Sequence, residues 1–188
     1  MEKKKFLSTI REMSVAIFIP FIIVLFIEFI QKLELQPFFD KNAFFMPVYA
    51  SIIAVCSYIW IRKGIALSFF AVVIFAVLIA VFNRGEDSFV FSCVFYFSSI
   101  LFLAFFSTLT FTIGKVIGKH RSSYYAYITQ FFSGICIFIF GTLMLQLTRS
   151  LFDAQTSVVQ STICGIRQGL LLGSGVIIAI IMLPQGKS

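Results

Sequence analysis

The stretch Ile65–Phe82 reads IALSFFAVVIFAVLIAVF, and it decides the fold class. It carries no charge, and Ser68 is its one hydroxyl. As a helix rising 1.5 Å per residue it is roughly 27 Å long, close to the hydrocarbon thickness of a bilayer. The basic triplet Arg62-Lys63-Gly64 precedes it, and before that lies a second apolar run, 44–61. Two such runs separated by hardly more than a turn form an antiparallel hairpin, and Gly64 supplies the backbone freedom at the bend. On the other side, Asn83-Arg84-Gly85-Glu86-Asp87 closes the stretch with polar residues.

The same pattern continues outward in both directions. Further candidate spans lie at 13–30, 89–113, 124–147 and 168–184. The spacing therefore predicts an all-α polytopic transmembrane bundle of about six spans, with four as the lower bound, forming one integral membrane domain over 1–188. Composition agrees: 60% of the residues are hydrophobic and 12% charged. A soluble domain needs about a quarter of its residues charged. The longest connection, 148–167, has the pattern of a short helix lying on the membrane surface. Lys3, Lys4, Lys5 and Arg11 ahead of the first run resemble the start of a signal peptide. The run is as long as a spanning helix and no small-residue cleavage pattern follows it, so it is expected to be retained as the first span.

Lys and Arg in the connections set orientation. With the N-terminus in the cytoplasm, ten cations fall inside: Lys3, Lys4, Lys5, Arg11, Arg62, Lys63, Lys115, Lys119, Arg121 and Lys187. Five fall outside: Lys32, Lys41, Arg84, Arg149 and Arg167. The expected location is the cell inner membrane, with both termini cytoplasmic. The net charge of +7 is then mostly a record of topology. Cys56, Cys93, Cys136 and Cys164 show no C-x-x-C spacing and are expected as small buried hydrophobes, without a disulfide or metal role.

Residues suited to catalysis are sparse. The single histidine, His120, sits between Lys119 and Arg121 and belongs to a charged rim. Metalloprotease, nucleophile-elbow and phosphate-loop motifs do not occur, and Asp40, Asp87 and Asp153 all fall in expected outer loops. We therefore expect neither an enzyme nor a cofactor. Glu28 is the acidic residue within an expected span, and Lys32 at i+4 is its expected partner. The hydroxyls of the fourth span (Ser92, Ser98, Ser99, Ser107, Thr108, Thr110 and Thr112) do not share one face, so helix packing is expected rather than a polar lane. Pro20 and Pro47 fall in the first and second spans, where proline removes a helical donor.

The sharpest pattern is in the last span: Gly165, Gly169 and Gly173 form G-x-x-x-G-x-x-x-G, which lets a second backbone approach closely. It serves either a tight crossing within the chain or a homo-oligomer seam. The second candidate site is a cytoplasmic basic face of Lys3, Lys4, Lys5, Arg11, Arg62, Lys63, Lys115, Lys119, His120 and Arg121, suited to anionic lipid or an acidic protein partner. Aromatic residues do not interleave with these charges, so direct nucleic-acid binding is not expected. Trp60 and the cluster Tyr124, Tyr125 and Tyr127 have the character of interfacial anchors.

The Lys3-Lys4-Lys5 start, the Phe-rich spans, the short basic inner loops and the overall length resemble the membrane subunit of the Kiwa antiphage defence system. That resemblance implies a homo-oligomeric inner-membrane sensor, partnered by a cytoplasmic DNA-binding effector and responding to phage at the envelope. Two other classes compete. Six spans in a short chain resemble the substrate-binding subunit of energy-coupling-factor vitamin importers, although Ala16 is followed four residues later by Pro20 where those have a second alanine. A small pore would need a polar ring, for which the fourth span's hydroxyls are the available material.

Overall fold

The computed structural model describes residues 2–32, 45–82, 89–120, 123–152 and 157–183. They form six helices: α1 (Glu2–Lys32), α2 (Phe45–Lys63), α3 (Ile65–Phe82), α4 (Phe89–His120), α5 (Ser123–Phe152) and α6 (Val158–Met182). Each is long and apolar enough to cross a membrane, so the protein is an all-helical six-span bundle.

The boundaries follow from local chemistry. Gly64 alone separates α2 from α3, with φ +100°, a conformation that side chains with a Cβ disfavour. Its N–H donates to the Trp60 carbonyl at 3.2 Å, and its carbonyl accepts from the Ser68 N–H at 3.3 Å. One residue thus closes one helix and opens the next. Ser157 caps α6, its hydroxyl accepting from the Gln160 N–H at 3.2 Å. Pro47 lies in the first turn of α2, where no intrahelical donor is required, so it does not break the span. Pro20 lies inside α1, and α6 meets it: a Cβ on Gly175 would come within 3.2 Å of the Pro20 Cα.

Four helices run longer than their apolar runs. α1 begins at Glu2 rather than near residue 13, and α4 continues to His120 rather than stopping near 113. The expected surface helix within 148–167 is not formed. Instead α5 runs on to Phe152 and α6 starts at Val158, so the polar residues of that connection extend two spanning helices.

Sequential helices alternate in direction. Ser51 of α2 donates to the Ile17 carbonyl of α1 at 2.8 Å, and Arg62 of the same helix pairs with Glu12, earlier in α1, which makes the two antiparallel. Gly165 packs on Leu143 and Gly169 on Ile139, so α5 and α6 are antiparallel too. The N-terminus, the Gly64 bend and the α4–α5 connection consequently share one end of the bundle. α2 and α6 form the centre: α2 contacts α1, α3, α4 and α6, and α6 contacts α1, α2, α4 and α5. Their core includes Ile53, Ala54, Cys56, Leu172, Val176 and Ile177. Cys136 departs from the expectation of burial, since it is exposed on the outside of α5, where the bilayer would cover it.

Candidate functional site

Polar side chains gather in two places, near the N-terminal end of the bundle and near the opposite end. The first cluster was not legible in the sequence. Glu12 precedes the expected first span, yet α1 extends through it and turns its carboxylate into the bundle, where it is buried. Arg62, in the last turn of α2, reaches it with Nε 3.2 Å from Oε2. Ser8, one turn earlier on α1, donates to Oε1 at 3.2 Å. Tyr58 of α2 is buried in the adjoining layer. Ala16, Val55 and Leu183 form the apolar layer next to it. A buried carboxylate needs compensating partners, and here a guanidinium and a hydroxyl supply them. The available signal was register: an acidic residue immediately before an apolar run, at the same expected end as Arg62.

This cluster changes the basic face. Arg62 is not a rim cation but half of a partly buried ion pair. Arg11, Lys63 and Lys115 are exposed at the same end. Lys3, Lys4 and Lys5 lie in the first turns of α1, and Lys119 and His120 in the last turn of α4, all at that end by backbone, while their side chains are outside the described residues. Arg121 is outside the described residues altogether. Tyr124, Tyr125 and Tyr127 are exposed at the start of α5. Trp60 is half-buried, its ring packing on Phe105 of α4 with centroids 6.1 Å apart.

The glycine stripe faces inward. A Cβ on Gly165 would lie 2.8 Å from the Leu143 Cα, one on Gly169 2.5 Å from the Ile139 Cα, and one on Gly173 3.0 Å from the Phe138 Cβ. Thr142 locks the crossing by donating to the Gly165 carbonyl at 2.7 Å. Gly165, Gly169 and Gly173 are therefore consumed by the α5–α6 crossing of their own chain. As an oligomer seam the stripe is corrected: α5 already occupies it, and a second copy would have to meet another surface.

The second polar cluster lies where α2 begins. Tyr49 hydrogen-bonds Ser99 of α4, and Gln146 of α5 donates to Gln168 of α6 at 2.7 Å. These groups line a cavity of about 100 Å³, walled also by Tyr96 and Leu172. Pockets for drug-sized ligands enclose roughly 300–1,000 Å³. This one suits a few waters, not a vitamin. Five other hydroxyls of α4 turn back on their own helix: Ser98 to Val94, Ser107 to Leu103, Thr108 to Phe105, Thr110 to Phe106 and Thr112 to Thr108. Donors spent in this way are not available to an anion.

Glu28, expected to pair with Lys32, is partly buried on α1, and the Lys32 side chain is outside the described residues. Comparison with protein-family models, with curated proteins and with solved structures finds no match for this chain.

Proposed function

We propose that this integral membrane protein is a non-enzymatic subunit that presents a basic helical face to the cytoplasm and there anchors or signals to an acidic protein partner. The observation that carries this is the surplus length of two helices at one end. α1 has 31 residues and α4 has 32, which at 1.5 Å each is roughly 47 Å against a hydrocarbon core of about 30 Å. Lys3, Lys4, Lys5 and Arg11 lie toward the surplus end of α1, and Lys115, Lys119 and His120 toward that of α4, with Lys63 between them on α2. Stiff helical projections hold charge at fixed spacing, which favours recognition of a folded partner over diffuse attraction to lipid. The Glu12–Arg62 pair fixes α1 to α2 at the base of these projections.

The reading accords with the resemblance to the Kiwa membrane subunit, under which the partner is a DNA-binding effector and the assembly senses perturbation of the envelope during phage infection. Homo-oligomerisation belongs to the same proposal, on a surface other than the glycine stripe. The inner membrane is the expected location, with the basic end in the cytoplasm.

The test is charge reversal. In cells, a photo-crosslinking residue replacing Val116 should trap a cytoplasmic protein. The Arg11→Glu/Lys63→Glu/Lys115→Glu variant should lose that product while inserting in the membrane in equal amount. Undiminished crosslinking in the variant, or labelling of this end by a membrane-impermeant reagent from outside, would overturn the proposal.

A further inference from the structure

α1 and α5 both pack on α6, but among the described residues no Cα of one comes within 8 Å of a Cα of the other. A strip of α6 between them is therefore open to the bilayer. It forms the floor of a groove of about 430 Å³, with Ile27 of α1 and Ile135 of α5 as walls and Ile163, Leu170 and Leu171 along the floor. Arg167 lines the same groove and is exposed. Ser174, two turns further along α6, is the other polar lining residue, and its hydroxyl is turned onto the Leu171 carbonyl at 2.9 Å. Past Arg167 the groove thus offers hydrocarbon only.

The depth of Arg167 follows from helix register. Gly175 of α6 packs on Pro20 of α1, and eight residues along each antiparallel helix bring Arg167 level with Glu28. The charged Glu12 level lies sixteen residues down the same helix, roughly 24 Å away at 1.5 Å per residue. These two levels bracket the apolar body of α1, so Arg167 sits at the edge of the hydrocarbon layer opposite the N-terminal end. A cation at that edge, with an apolar channel running inward from it, has the shape and polarity of a phospholipid.

We propose that this groove is a specific phospholipid site, in which one acyl chain lies along the Leu170–Leu171 floor and the headgroup phosphate accepts hydrogen bonds from the Arg167 guanidinium. Arginine matches the oxygens of a phosphodiester through paired N–H donors. A free phosphate would use the cation but leave the apolar groove empty, so the lipid is the occupant that uses both.

The test is native mass spectrometry of the full chain purified in a mild detergent, with palmitoyl-oleoyl phosphatidylglycerol added. The expected result is one lipid retained per chain, displaced by neither inorganic phosphate nor a diacylglycerol with the same acyl chains. Arg167→Gln should lower retention about tenfold through loss of the charged hydrogen bonds. Leu170→Trp, which fills the floor from an exposed position, should abolish retention without lowering the thermal midpoint. If Arg167→Gln proves poorly folded, Leu170→Trp and the diacylglycerol comparison decide alone. Equal retention by wild type and Leu170→Trp overturns the site, and diacylglycerol bound as well as the phospholipid overturns the phosphate contact. A lipid-free dimer that Leu170→Trp splits overturns the proposal by giving the groove to a second copy.

Discussion

α2 and α3 share one hairpin and a single linking residue, yet they face opposite environments. α2 is the more polar, with Tyr49, Ser51, Ser57 and Tyr58 in its interior, and it is buried over most of its length. α3 is almost pure hydrocarbon, and it exposes Phe70, Ile74 and Phe82. Its buried side is a narrow stripe of Ser68, Val72, Ala76, Ile79 and Ala80, mostly small residues. In water the apolar face of a helix is the packed face. In a bilayer the lipid is as apolar as the core, and small or hydroxyl-bearing residues mark the packed face instead.

The largest effect should come from placing the same phenyl ring on each helix. Ala54 on α2 is 1% exposed and Ile74 on α3 is 58% exposed. Ala54→Phe should cost about 3 kcal/mol or more through overpacking, seen as a lower thermal midpoint in detergent, whereas Ile74→Phe should be nearly silent. Equal losses would break the contrast. A smaller effect is expected where α2 carries charge and α3 carries none. Glu12→Ala leaves Arg62 without its carboxylate, and because Arg62 is partly exposed the loss should be about 1–2 kcal/mol. In a double-mutant cycle with Arg62→Ala, the two losses should not add. The smallest effect separates hydroxyls that bridge from those that do not. Ser68 of α3 donates to the Cys56 carbonyl of α2 at 2.9 Å, while Ser57 donates to Ile53 of its own helix at 2.6 Å. Ser68→Ala should cost about 0.6 kcal/mol and Ser57→Ala less, measurable as a difference in unfolding midpoint between the two variants.

Most of the fold is written in hydrophobic run length, because a spanning helix is a stretch of uncharged residues matched to a fixed thickness. That rule found α3 to the residue and α2 to within two at each end. It failed where helices leave the hydrocarbon. The first turns of α1 and the last turns of α4 carry lysines that end an apolar run without ending a helix, since lysine is a good helix former. Glu12 escapes the same rule, because it falls one residue before the apolar run begins. The glycine stripe was legible as a close crossing, but its partner was not. Spacing of four says that a backbone approaches, and only the positions of Leu143, Ile139 and Phe138 say whose.

The one-residue link at Gly64 governs how the chain enters the membrane in the first place. α3 carries thirteen Ile, Leu, Phe and Val residues, which together favour insertion by roughly 4–8 kcal/mol. α2, with its tyrosines, serines and terminal Arg62-Lys63, has a weaker claim of its own. With no slack between them, neither helix can cross while the other waits in water, so the pair must leave the translocon as a unit. The more apolar helix is thus the insertion signal for the helix that later becomes the centre of the bundle. Lengthening this link would let α2 and α3 partition separately, and the defect would be one of biogenesis rather than of the folded state.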